Sequence, residues 1–90
     1  MKADHEKVSR LLKTARGQLD GVLRMIDEDQ YCIDIANQIL AAEAILRKAN
    51  REVVRAHMES CVAQAMESGD EQAKQQKLDE ILRLLEKMER

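Results

Sequence analysis

The sequence predicts an all-α fold of three helices in a single domain over residues 1–90. Three observations carry this expectation. The chain has no proline and three glycines in 90 residues. Ala, Leu, Glu, Lys, Arg and Gln dominate it, and all are good helix formers. Apolar residues recur at three- and four-residue steps along most of the chain, the period of a helix face.

The first helix is expected from about residue 5 to 27. Val8, Leu11, Leu12, Ala15, Leu19, Val22, Leu23 and Ile26 carry its apolar pattern. Gly17 and Gly21 fall inside it, each costing about 1 kcal/mol relative to alanine. They lie four apart on one face. Close approach of another helix would account for them better than a break in the chain. Asp27-Glu28-Asp29-Gln30 then interrupts the pattern, and Asp29 is a candidate N-cap for the next helix.

The second helix is expected to run to about residue 68. Cys32, Ile39, Leu46 and Val53 are spaced by seven. So are Ile35, Ala42, Ala49, Ala56 and Ala63. Together they predict a coiled-coil-like seam. A helix of that length extends about 55 Å. A partner chain running antiparallel is its natural cover. Ser68-Gly69-Asp70-Glu71 reads as a stop and a restart. Gly69 suits the left-handed position that closes a helix. Ser68 and Glu71 have capping-box spacing, with Asp70 as the alternative cap. The third helix is expected over about 71–88, with Leu78, Ile81, Leu82, Leu85 and Met88 on one stripe.

Composition narrows the function. The only aromatic residue is Tyr31, so the core of so short a chain must come from aliphatic side chains. Burial against another copy would supplement it. No apolar run is long enough to span a membrane, and MKADHEKVSR lacks the apolar stretch of a signal peptide. The expected location is the cytoplasm. There, two cysteines read as a metal or redox pair sooner than as a structural disulfide. No phosphate loop is present, and an enzyme is not expected. The formal net charge of −2 hides a patchwork. Residues 1–24 hold six Lys or Arg against three acids, and 47–55 hold four against Glu52. Residues 25–46 hold five acids and no Lys or Arg. Separate basic blocks of this kind suit a polyanionic partner.

His57 and Cys61 are four apart and so one turn apart on one helix face. Cys32 precedes Cys61 by 29 residues on the same expected helix. Within one chain their sulfurs would be about 43 Å apart. In an antiparallel dimer with its two-fold axis near residue 46, Cys32 of one chain falls beside His57 and Cys61 of the other. The ligand spacing and the apolar register agree on that assembly. Two thiolates and one imidazole suit Cu(I), which accepts three ligands, whereas Zn(II) would want a fourth. The plainer alternative is two small buried residues and a surface histidine.

These residues also carry a family resemblance. Arg16-Gly17-Gln18-Leu19-Asp20-Gly21, Tyr31-Cys32-Ile33-Asp34-Ile35, Gln38-Ile39, Ala49-Asn50-Arg51, His57 and Cys61 occur together in order and spacing. In these the chain resembles the CsoR family of bacterial metal-responsive repressors along essentially its full length. The resemblance implies an antiparallel helical-bundle dimer that pairs into a disc-shaped tetramer. It implies an apo form bound to operator DNA and released by Cu(I) held by Cys32, His57 and Cys61. It implies a tyrosine and a glutamate that contact the ligand histidine, at Tyr31 and Glu80. It implies DNA contacts at Lys13, Arg16, Lys48 and Arg51, with Arg10 and Arg47 as neighbours. The chain departs from the family at Leu11, where members commonly carry arginine. Other branches of the family sense nickel or persulfide. A nickel sensor could use the same ligand set, whereas His57 argues against the persulfide class, although the two cysteines could still bridge chains under oxidation. A helical oligomerisation module with incidental cysteines is the alternative outside the family.

Overall fold

Three helices, α1 (His5–Asp27), α2 (Cys32–Ser68) and α3 (Glu71–Met88), make up the computed structural model. It describes residues 1–89, and Ser68 by its backbone alone. Each helix falls on the span expected for it.

Local chemistry sets the ends. Asp4 caps α1, its carboxylate accepting from the Glu6 and Lys7 amides at 3.0 and 3.4 Å. Asp70 caps α3 in the same way, accepting from Gln72 and Ala73 at 3.1 and 3.2 Å. Each cap satisfies amides that have no partner inside the helix. The Ser68 side chain of the proposed capping box lies outside the described residues. Gly69 closes α2 with φ 68°, the left-handed conformation glycine adopts freely.

Asp29 does not cap α2, contrary to expectation. Tyr31 holds the N-cap position and makes no side-chain capping bond. Asp29 instead takes φ 53° at the end of α1. The Gln30 amide donates to the Met25 carbonyl and the Asp29 amide to the Ile26 carbonyl, both at 3.0 Å. This pair of bonds is a Schellman closure with aspartate where glycine is usual.

α1 and α2 form an antiparallel hairpin. Val8, Ala15 and Val22 are buried on α1, and Ala42 and Ala49 on α2. The small side chains let the two helices lie close together. The alanine row was expected to face a partner chain; α1 of the same chain covers its middle, Ala42 and Ala49, while Ala63 is exposed. The other row stays open, with Ile39 and Leu46 43% and 42% exposed. A second open stripe runs down α1 through Leu12, Leu19, Leu23 and Ile26. Gly17 and Gly21 do not mark a helix contact within the chain. A Cβ at Gly17 would meet nothing within 4 Å, and one at Gly21 would meet only the tip of Arg24.

α3 folds back along the C-terminal part of α2, where Val54 and Cys61 are buried. Its own apolar stripe is poorly covered, with Leu78 and Leu82 about half exposed and no residue buried. The molecule measures 59 × 27 × 13 Å, and the length of α2 sets the long axis. No described helix is long and apolar enough to cross a membrane.

Candidate metal centre

α2 is an unbroken helix of 37 residues. Continuity decides how the three expected ligands stand. His57 and Cys61 project from consecutive turns, and Cys61 Sγ lies 3.2 Å from His57 Nε2 in a partly buried thiol–imidazole hydrogen bond. Cys61 is buried and Cys32 is exposed, and neither is in a disulfide. Cys32 opens the helix some 43 Å away by the helical rise. Among the described residues, no group of three or more His, Cys, Asp or Glu side chains gathers in a way that could hold a metal. One chain therefore presents two soft donors at one end of α2 and a third at the other.

The pair tests well against a soft ion. Sulfur and imidazole nitrogen bound at lengths near 2.3 and 2.0 Å stand roughly 3.5 Å apart in a tetrahedral arrangement. The observed separation of 3.2 Å needs a small side-chain adjustment to admit an ion. A second thiolate, as third ligand, would complete a low-coordinate site suited to Cu(I).

Glu80 and Tyr31 separate at this point. Glu80, on α3, lines with His57 a groove of about 590 Å³ between α2 and α3. Its carboxylate is not on the imidazole. It stands 4.0 Å from Lys77 Nζ and is largely exposed. Tyr31 adjoins Cys32 at the far end of α2 and is 66% exposed. Within one chain it is remote from His57.

The six cations expected to meet DNA are all exposed. They do not line one groove. Lys48 and Arg51 line a groove between α1, α2 and α3. Arg10 and Lys13 line a shallow depression at the start of α1, beside His5 and Ser9. Arg16 and Arg47 line neither. Sequence reasoning passed over three residues in the first groove, Lys7, Glu52 and Arg55. Glu52 bridges the other two, at 3.3 Å from Lys7 Nζ and 3.4 Å from Arg55 Nη2. A lone acid amid the cations of 47–55 was the available signal. Its partner on α1 depended on a helix register the sequence does not state.

Fold and site thus define an all-helical protein with a paired histidine and cysteine on one long helix. Residues 4–87 match the family model described as metal-sensitive transcriptional repressor, and the chain belongs to that family. It is 42% identical over 71 residues to the copper-sensing transcriptional repressor CsoR of Mycobacterium ulcerans, covering 79% of this chain and 58% of that protein. It is 36% identical over 77 residues to the copper-sensing repressor CsoR of Bacillus subtilis, covering 84% of this chain and 76% of that protein. The crystal structure of CsoR with Cu(I) from Geobacillus thermodenitrificans superposes with a TM-score of 0.81 at 33% identity. That match covers 94% of this chain and 85% of the other. The chain spans about half the length of the mycobacterial CsoR proteins it matches, 58% and 52% in two of them.

Proposed function

We propose that this protein is a Cu(I)-responsive transcriptional repressor of the cytoplasm. Its apo form binds operator DNA, and Cu(I) releases it, derepressing genes of copper export or resistance. The observation that carries this reading is the His57–Cys61 pair, 3.2 Å apart on a helix whose continuity keeps Cys32 out of reach. Such a donor set is completed by a second chain. The site is then Cys32 of one protomer with His57 and Cys61 of the other, twice per antiparallel dimer. The open stripes on α1 and α2 supply apolar surface for that dimer, and dimers pair into a tetramer. The copper-sensing relatives support the choice of ion.

When bound, Cu(I) would link the two chains through the Cys32 thiolate of one and the His57–Cys61 pair of the other. The chain's own residues turn that link into a change of shape. With one ring nitrogen of His57 engaged, the other is oriented and donates to an acceptor. Glu80 is the acceptor across the groove, and its engagement draws α3 toward α2. Tyr31 contacts the same imidazole from the partner, beside its Cys32. Arg10, Lys13, Arg16, Arg47, Lys48 and Arg51 meet DNA phosphates in the apo form. Release requires the ion to favour the DNA-incompetent state, and a swing from 99:1 to 1:99 takes about 5.5 kcal/mol of differential affinity.

The test is anaerobic Cu(I) titration of the reduced protein against a competing chelator, with and without operator DNA. Cys32→Ala and Cys61→Ala should each lose the high-affinity site. His57→Ala should keep much of the affinity, through the two thiolates, and lose most of the ratio between free and DNA-bound forms. Weak Cu(I) binding that is indifferent to either cysteine would overturn the reading. Tighter binding of Ni(II), with release of DNA, would transfer it to nickel.

A further inference from the structure

Glu52 ties α1 to α2 away from the metal ligands. Lys7 reaches it across the helix pair and Arg55 from the next turn of α2. The acid is the inner member of the three. Its side chain is 23% exposed, against 46% for Lys7 and 67% for Arg55. The hydrogen bond from Lys7 and the nearby positive charges hold its carboxyl below the ordinary glutamate value. It is therefore ionised at neutral pH, and both cations project outward from it.

Lys7, Lys48, Arg51 and Arg55 line one groove with Glu52. Glu59 also lines the groove, and four cations against two acids leave that surface net positive although the chain carries a net charge of −2. The groove brings together residues 48 positions apart in sequence, so the patch exists because of the hairpin register. It is also distinct from the depression that Arg10 and Lys13 line. A positive surface on two helices, with two of its four cations tied to Glu52, can follow a regularly spaced line of phosphates.

We propose that Lys7 and Arg55 contact the DNA backbone, and that with Lys48 and Arg51 they form one phosphate-binding site spanning the α1–α2 junction. This rests on the proposed DNA-binding role and names residues of the interface that the family pattern does not assign. Glu52 is the anchor from which two of the four cations project. Both contacts read phosphate and not base edges, so they act on any sequence and show in the salt dependence.

The experiment measures binding of the apo protein to a random-sequence DNA duplex of about 30 base pairs by fluorescence anisotropy, across a series of salt concentrations. A phosphate contact contributes roughly one to the slope of log affinity against log salt. Lys7→Gln and Arg55→Gln should each weaken binding and reduce that slope by about one for each copy that touches the duplex. Lys7→Arg and Arg55→Lys should restore it. Lys74→Gln is the control, since Lys74 is also paired with an acid, Glu71 at 3.4 Å, but lies on α3. It removes the same charge and should leave the slope unchanged. Circular dichroism confirms that each variant keeps its helices. If the wild type binds and neither Lys7→Gln nor Arg55→Gln alters the slope, this assignment fails while the DNA-binding role stands. If Lys74→Gln costs as much as the other two, net charge alone is at work and the site is refuted. If the wild type has no affinity for DNA, both readings fall.

Discussion

A histidine and a cysteine four positions apart meet because a helix turns every 3.6 residues. That contact was legible from spacing once the helix was expected there, and the distance of 3.2 Å agrees with it. The Lys7–Glu52 pair was not legible. Both residues were visible as charges, but an ion pair between two helices depends on which faces meet and in what register. Glu80 lies between these cases. Its place on α3 opposite His57 follows from the turn at Gly69, yet its carboxylate remains beside Lys77. The Lys7–Glu52 tie makes a prediction about pH. A carboxyl held below its ordinary value in the folded chain adds stability that is present at neutral pH. That stability is lost as pH falls through the ordinary glutamate range and below it. Thermal melts of the wild type and Glu52→Gln should therefore differ at neutral pH and converge on acidification. A difference that persists unchanged into acid would contradict the role given to Glu52.

At the scale of elements, helix existence and extent were readable because long periodic runs of good helix formers leave few alternatives. The junction between α1 and α2 was readable only in part. Aspartate accepts amide bonds as an N-cap and also tolerates the left-handed backbone, so its presence between two helices fits either role. The Schellman bonds from Asp29 and Gln30 decide for the second. A non-glycine residue in that conformation costs on the order of 1 kcal/mol. Asp29→Gly should therefore stabilise the protein by about 1 kcal/mol, measured as a higher denaturant midpoint with unchanged slope. A neutral or destabilising result would mean that the aspartate side chain contributes more at the turn than its backbone costs. Gly17 and Gly21 show the opposite limit. Their place on one face of α1 was plain, but the structure puts no neighbouring helix against it.

For the whole molecule, two rows of residues spaced by seven on α2 looked like one seam in the sequence. Spacing alone cannot say which row meets the same chain and which is left for another, since both have the same period. The hairpin resolves it. Ala42 and Ala49 go inward against α1, while Ile39 and Leu46 stay open, in line with Cys32. The donor set is divided in the same sense, with Cys32 at one end of an unbroken α2 and the His57–Cys61 pair toward the other. A site assembled between two chains is thus the central claim. It is tested most directly by mixing two inactive variants, Cys32→Ala and Cys61→Ala, under conditions that exchange subunits. A heterodimer of the two holds one complete donor set, with Cys32 from one variant and His57 and Cys61 from the other. Random exchange should restore high-affinity Cu(I) binding to about a quarter of the wild-type stoichiometry. A mixture that binds no more Cu(I) than the separate variants would show that the site is not shared between chains.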